Sequence, residues 1–113
     1  MNKEIKKFWI EELRSEKYDK TRGNLRRDNG KCCALGILAT ILVSLKKANW
    51  KQTESVYAIQ SKNGVSCTTS LPEDLREEIG LSFDKQNSII NLNDSDKHNH
   101  DFNYIANYIE TCI

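Results

Sequence analysis

The sequence CCALGILATILVSLKK (residues 32–47) is apolar almost all the way around a helical wheel. A surface helix carries one apolar stripe, whereas a helix that is apolar on every side has to be buried on most of them. The stretch therefore predicts a central helix over about 33–47, which Asn49 is predicted to end. Gly36 inside this helix costs about 1 kcal/mol relative to alanine, and it indicates a neighbour in close approach.

Helical periodicity also marks both ends of the chain. Behind a predicted N-cap at Asn2, an apolar face recurs every three or four residues until about Tyr18. The members of this face are Ile5, Phe8, Trp9 and Leu13. Near the C-terminus, Asp101 is the predicted N-cap of a last amphipathic helix. Its apolar stripe consists of Phe102, Ile105, Ala106, Ile109 and Ile113.

Two glycine-containing turns predict short β-hairpins. Asp28-Asn29-Gly30 is a tight-turn sequence inside a polar stretch, and it predicts a hairpin over about 25–33. Lys62-Asn63-Gly64 separates two β-like runs, SVYAIQ and VSCTTS (55–60 and 65–70). An Asn-Gly pair between such runs is a strong hairpin signal.

Further helices follow the second hairpin. Pro72 opens a helix that Gly80 ends, and a short helix is predicted over 86–93. Together these elements predict a single α+β domain over 1–113, in which several helices pack around the central buried helix beside one or two short β-hairpins. A chain of 113 residues is too short for two packed domains.

Composition and charge exclude several classes of protein. No apolar run approaches the roughly 20 residues of a membrane span, and the acid-containing amphipathic start is unlike a secretion signal. These features predict a soluble protein of the cytoplasm. Residues 1–70 hold 14 lysines and arginines against 7 acids, whereas 71–113 hold 3 against 9. This asymmetry permits self-association into a homo-oligomer, but the net charge of +1 disfavours nucleic acid as the partner.

The four cysteines predict neither disulfides nor a metal site. Their spacings contain no Cys-x-x-Cys pair, which a structural zinc site would favour. His98 and His100 lie close together in a polar stretch, but with Cys112 they form no recognised ligand spacing. Most of the cysteines are therefore predicted to be small buried side chains, and neither a metal nor another cofactor is expected.

Five segments, read in order, resemble a family of small uncharacterised proteins common in tailed-phage genomes. The segments are WIEELRSEKY (9–18), TRGNLRRDNGKCCALGIL (21–38), LPEDLREEIGL (71–81), NLNDS (91–95) and FNYIANYIE (102–110). The family shows an LRS start, a Gly-x-Leu-Arg element before CCLG, an LP…GL helix, and a Leu-Asn-Asp element before an F-x-x-I-A helix. Two positions depart from this pattern: Ala34 stands where CCLG has leucine, and His98-Asn99-His100 replaces a shorter turn.

An arginine cluster suggests a site for an anionic ligand. Arg22, Arg26 and Arg27 lie within six residues, next to turn glycines and just before the predicted central helix. The planar guanidinium group matches phosphate oxygens, and a helix N-terminus adds partial positive charge. Asn93 and Asp94 are predicted to contact polar edges of the same ligand. The competing interpretation is that these arginines form a solvated turn and pair with acids of the chain.

Cysteine chemistry is the alternative. Cys33 is predicted at a strand-to-helix junction, where a helix dipole lowers the pKa of a thiol. A Cys-dependent hydrolase or transferase also needs an imidazole in contact with the thiol, and His98 or His100 would supply it. No cysteine-hydrolase sequence signature surrounds Cys33. A binding protein is therefore favoured over an enzyme.

The resemblance implies a phage or prophage origin and an accessory role in the cytoplasm of the host cell. Such a protein is expected to act against host defence, either by sequestering a nucleotide-derived immune signal or by blocking a host defence protein. The expected partner is thus a phosphate-bearing small molecule or a host defence protein. A host-protein or nucleic-acid interaction module remains a further alternative.

Overall fold

The computed structural model describes residues 1–95 and 101–113, and it confirms an α+β domain. Within these residues the chain forms five helices and a small antiparallel sheet of four strands. The helices are α1 (Lys3–Leu13), α2 (Ala34–Ser44), α3 (Glu73–Ile79), α4 (Phe83–Asp94) and α5 (Phe102–Cys112). The strands are β1 (Arg26–Arg27), β2 (Ala48–Gln52), β3 (Val56–Ser61) and β4 (Ser66–Cys67).

Helix α2 is the centre of the core, as its composition predicts. Eight of its eleven residues are buried, so its apolar surface faces neighbours on most sides. Helices α1 and α4 and strand β2 pack on it, and α5 packs on α1. On the N-terminal side, the indole N–H of Trp9 donates to the carbonyl oxygen of Ala34 at 2.9 Å, which ties α1 to the first turn of α2.

Strand β3 organises the sheet because it pairs with all three other strands. It pairs with all five residues of β2, from Ala48 opposite Ser61 to Gln52 opposite Tyr57. Its other edge pairs with β1 at one end and with β4 at the other. The β3–β4 hairpin turns at Gly64, whose φ of +88° suits glycine. This hairpin is the one that the Asn-Gly signal predicts.

Several predicted boundaries were right and others were wrong. The side chains of Asn2 and Asp101 cap α1 and α5 as predicted, and Gly80 ends α3 in the left-handed conformation. Helix α1 stops at Leu13 and not near Tyr18, because no apolar residue continues its buried face. Phe8, predicted to lie on that face, is 44% exposed.

The second half of the chain holds two further corrections. Helix α4 is longer than the predicted 86–93, because the Ser82 side chain caps it at Lys85 and starts it three residues earlier. Strand β2 was not predicted, and Asn49 lies within it instead of ending α2. The chain leaves α2 through Lys46, whose φ is +60°. No helix in the described ranges is long and apolar enough to cross a membrane.

Candidate functional site

The polar segment of residues 19–32, directly before α2, folds back on itself and brings its two halves together. The Thr21 N–H donates to the Cys32 carbonyl oxygen at 2.9 Å, and the Cys32 N–H donates to the Asp19 carbonyl oxygen at 3.0 Å. The Arg27 N–H donates to the Lys31 carbonyl oxygen at 2.9 Å and closes the turn through Gly30. Residues 19–21 therefore run beside 31–32, and side chains that are ten residues apart become neighbours.

An open cleft of about 690 Å³ lies along this folded segment and beside the start of α5. Among its described lining residues, four side chains are cationic and two are carboxylates. The cleft is lined by Tyr18, Asp19, Lys20, Thr21, Arg22, Arg27, Asn29, Lys31, Asp101 and Phe102. The excess of positive charge favours an anionic ligand.

The Arg27 guanidinium is held in place by the opposite half of the segment. Its Nε–H donates to the Thr21 hydroxyl at 2.6 Å, and its Nη2 donates to the Arg22 carbonyl oxygen at 3.2 Å. A guanidinium group has five N–H donors. Within the described part of the chain these two bonds orient Arg27 and leave further donors for a ligand in the cleft.

Lys20 and Arg22 stand close enough in the cleft to repel each other. Burial is the main cause that lowers the pKa of Lys20, and the Arg22 charge lowers it further, while Asp94 and Asp101 act in the opposite sense. Arg22 also donates from Nη2 to the Ser95 carbonyl oxygen at 3.5 Å, which links the segment to the end of α4. A bound anion would relieve the repulsion between the two cations.

Arg26 does not line the cleft. Neighbouring residues of a strand point to opposite sides of the sheet, so Arg26 and Arg27 diverge. The Arg26 guanidinium lies 4.4 Å from the centre of the Tyr57 ring and 5.6 Å from that of Trp50. Cation–π contacts of this kind explain its position without a ligand. The structure therefore brings together Arg22 and Arg27, but not Arg26.

Asn93 lies on the inner side of the same segment and is only 1% exposed. Its Oδ1 accepts from the Ala34 N–H at 3.0 Å, and its Nδ2 donates to the Thr21 carbonyl oxygen at 2.9 Å and to Asp94 Oδ1 at 3.0 Å. Asp94 Oδ1 also accepts from the Gly23 N–H at 3.3 Å. Both side chains thus hold α4 against the segment and the start of α2.

Gly36 lies at the closest approach between the segment and α2. A Cβ added there would lie 1.8 Å from the Leu25 carbonyl oxygen. That same oxygen accepts from the Cys33 N–H at 3.0 Å, so the backbone of the segment lies directly against the first turn of α2. We refer to these contacts among Thr21, Leu25, Cys33, Gly36 and Asn93 as the inner junction.

Cys33 is a structural residue of the inner junction. Its Sγ accepts from the Gly36 N–H at 3.3 Å and caps α2. Burial raises the pKa of its thiol to about 12, although the Gly36 and Leu35 N–H groups act in the opposite sense. The expectation that the helix dipole lowers this pKa was therefore wrong, because desolvation outweighs the dipole. The proposed partners His98 and His100 lie outside the described residues.

The whole chain, residues 1–113, matches the family described as Domain of unknown function (DUF8296). The chain belongs to that family. No curated protein matches the chain, and no solved structure does.

A second, much smaller pocket of about 120 Å³ adjoins the inner junction in this DUF8296 domain. Cys33, Asn93 and Asp94 line it together with mostly apolar neighbours. The predicted site residues are thus divided between two places: Arg22 and Arg27 line the cleft, and Asn93 and Asp94 line this small pocket. Within 1–95 and 101–113, no three His, Cys, Asp or Glu side chains form a group that could hold a metal ion.

The cleft also contains residues that the sequence analysis did not select. Lys20 and Lys31 supply half of its positive charge, and Tyr18 and Phe102 add aromatic surface. The basic character of the segment is visible in the sequence. The convergence of Lys20 and Lys31, however, depends on an isolated parallel bridge between Lys20 and Cys32. No periodicity or turn motif signals such a bridge, so the convergence of Lys20 and Lys31 is visible only in the fold.

Proposed function

We propose that this protein is a phage-encoded accessory protein that acts by binding a phosphate-bearing small molecule in the cleft. The observation that carries the proposal is the convergence of Lys20, Arg22, Arg27 and Lys31 from two halves of one segment. The phage origin is supported by the resemblance of the five sequence segments. A nucleotide-derived immune signal of the host is the ligand that fits both the four cations and a phage origin. Its sequestration in the host cytoplasm would counteract defence.

The chemistry of the four cations suits phosphate. Arg27, oriented by Thr21 and by the Arg22 carbonyl, presents a planar fork that matches two phosphate oxygens. Lys20 and Lys31 act as point charges on either side of the paired segment. Anion binding would raise the depressed pKa of Lys20, so binding is expected to couple to proton uptake at alkaline pH.

Sequestration needs affinity but no reaction, and the state of the thiols agrees with this. Burial raises the pKa values of both Cys32 and Cys33, so neither is poised as a thiolate near neutral pH. A Cys-dependent hydrolase or transferase is therefore a weaker proposal than a binding protein. Blocking of a host defence protein, and self-association into a homo-oligomer, stay predictions.

Thermal unfolding in the presence of nucleotides tests the proposal. A ligand at about 100 times its Kd stabilises the folded state by about 2.7 kcal/mol, which raises the Tm of a domain of this size by about 10 °C. We expect such a shift with at least one nucleoside diphosphate or cyclic dinucleotide. Lys31→Ala and Arg27→Lys should each reduce affinity by about tenfold.

Lys51→Ala is the matched control because Lys51 is an exposed cation on β2 outside the cleft. The Lys51→Ala variant should bind the nucleotide with the same affinity as the unaltered protein. If no phosphate compound shifts the Tm, or if Lys51→Ala weakens binding as much as Lys31→Ala does, the proposal fails. Co-purification of a stoichiometric host protein without any nucleotide effect would instead favour the blocking of a host defence protein.

A further inference from the structure

We propose that the cleft has a second half, formed by the Tyr18 and Phe102 rings, against which a nucleobase stacks while the cations hold the phosphates. This inference rests on the proposed function and names the ligand class as a nucleotide with its base bound. The cations alone would suffice for inorganic phosphate, but a cleft of about 690 Å³ is much larger than a phosphate group. Pockets of this size are typical of drug-sized organic ligands.

The Tyr18 ring is a preorganised surface. It is half-buried and packs on the hydrophobic core. Burial is the main cause that raises the pKa of Tyr18, and Glu12 adds to it, so the ring carries no charge at neutral pH. A neutral ring that already packs on the core loses little conformational entropy when a base stacks on it.

The position of Phe102 is set by the start of α5. It is the first residue of α5, directly after Asp101, whose carboxylate caps the helix by accepting from the Tyr104 N–H at 2.8 Å. Its ring is half-buried against the core and lines the cleft. Tyr18 and Phe102 therefore place aromatic surface from two distant parts of the chain in the cleft that holds the four cations.

The pairing of aromatic and cationic groups is what distinguishes a nucleotide from other anions. Stacking on an aromatic side chain accepts any base because every base has a π-face, whereas the guanidinium fork recognises phosphate. Single-stranded nucleic acid presents the same groups, but the net charge of +1 offers little attraction to a long polyanion. The inferred ligand is therefore a free nucleotide.

Calorimetric titration with ADP and with inorganic diphosphate separates the two halves of the cleft. We expect the unaltered protein to bind ADP about tenfold or more tightly than diphosphate, because stacking contributes only to ADP. Tyr18→Leu and Phe102→Leu should each remove most of this preference while leaving the affinity for diphosphate unchanged. Tyr18→Phe, which keeps the ring, should retain the preference.

Phe8→Leu is the control because Phe8 is an exposed aromatic residue of α1 outside the cleft. Equal affinity of the unaltered protein for ADP and diphosphate would overturn the stacking inference and leave the anion site standing. Binding of neither would remove the proposed function as well. Tighter binding of a short single-stranded oligonucleotide than of ADP would replace the free nucleotide by nucleic acid.

The comparison of ADP with diphosphate needs no variant, so it remains decisive even if Tyr18→Leu fails to fold. NMR then provides an independent readout on the unaltered protein. Nuclear Overhauser contacts are expected between the adenine ring protons and the ring protons of Phe102 or Tyr18. Adenine protons that contact only other parts of the protein would overturn the inference.

Discussion

The cleft and the inner junction are opposite sides of the same polar segment, and they use polar groups in different ways. In the inner junction, the side-chain oxygen and nitrogen of Asn93 and the sulfur of Cys33 are bonded within the chain. In the cleft, Arg27 and Arg22 also donate hydrogen bonds within the chain, but the charged side chains line an open volume. One side therefore stabilises the fold, and the other is the side on which we propose that a ligand binds.

This difference follows from what each side faces. A polar group that packs against α2 loses water and has to find a partner in the protein, which selects short, uncharged side chains with fixed geometry. A side chain on the outer side keeps much of its water, so long cationic groups are tolerated there even where they are partly buried. Substitutions on the inner junction should therefore change stability, and substitutions in the cleft should change binding.

Gly36→Ala should have the largest effect. The added Cβ would lie 1.8 Å from the Leu25 carbonyl oxygen, so the segment and α2 have to separate. We expect a loss of several kcal/mol, comparable to severe overpacking, and a chain that is largely unfolded by circular dichroism at 25 °C. Gly23→Ala is the contrasting variant: nothing lies within 4 Å of its Cβ, and its φ of +78° costs only about 1–2 kcal/mol.

Asn93→Ala should cost about 2–4 kcal/mol, because it leaves the buried Ala34 N–H and Thr21 carbonyl groups without their partner. Chemical denaturation measures this loss. Asn91→Ala, an exposed position of the same helix, should change stability by less than about 0.5 kcal/mol. Should Asn93→Ala keep full stability but lose nucleotide binding, Asn93 would belong to the ligand site and the division between the two sides would be wrong.

The Cys33 thiol should be unreactive near neutral pH in the folded protein. With a pKa of about 12 and little exposure, it should react with iodoacetamide more than about a hundredfold more slowly than the exposed Cys112. Mass spectrometry of labelled peptides measures both rates. A Cys33 that reacts as fast as Cys112 would revive the enzymatic alternative.

The same raised pKa predicts how stability depends on pH. Because burial raises the pKa of the Cys33 thiol, its effect on the free energy of unfolding is fully favourable below the ordinary thiol pKa of 9.0. As the pH rises from there towards about 12, the unfolded chain loses the thiol proton while the folded protein keeps it, so the free energy of unfolding falls. Cys33→Ser keeps a capping oxygen for the Gly36 N–H and has no group that titrates in this range. The variant should show a smaller loss of stability at alkaline pH than the unaltered protein.

Arg14→Ala should have the smallest effect. Arg14 joins α1 to α5 through Glu110 at 3.0 Å and Asn107 at 2.6 Å, but both ends of the ion pair are solvent-exposed. An exposed ion pair contributes less than about 1 kcal/mol and is screened by salt. A loss larger than that of Asn93→Ala would show that surface contacts, and not the inner junction, hold the helices together.

The parts of the fold that could be predicted depend on neighbours in sequence. Helix α2 follows from its composition, the caps at Asn2 and Asp101 from their side-chain chemistry, and the β3–β4 turn from Asn63-Gly64. Strand β2 could not be predicted, because its residues show no clear alternation and it is specified by pairing with β3. Its sequence, ANWKQ, becomes a strand through contacts with another part of the chain.

The candidate site likewise has parts that the sequence predicts and parts that depend on contacts between distant residues. The basic character of the segment and the turn at Gly30 are visible in the sequence, and they led to Arg22 and Arg27. The separation of Arg26 follows from strand alternation once β1 is known to be a strand. Lys31 and Phe102 could not be assigned to the site, because one is placed by a bridge between distant residues and the other by the packing of α5.

By itself, the sequence determined that α2 would be central, where most helices begin, and that positive charge would gather before α2. Burial, capping and turn formation depend on a few adjacent residues, so short patterns suffice for them. Only the tertiary structure decided which side of the polar segment faces water. The contact of Leu25 with Gly36 and the hydrogen bonds of Asn93 set that orientation. Because these contacts join residues 11 to 72 positions apart, no local pattern encodes which cations meet in the cleft.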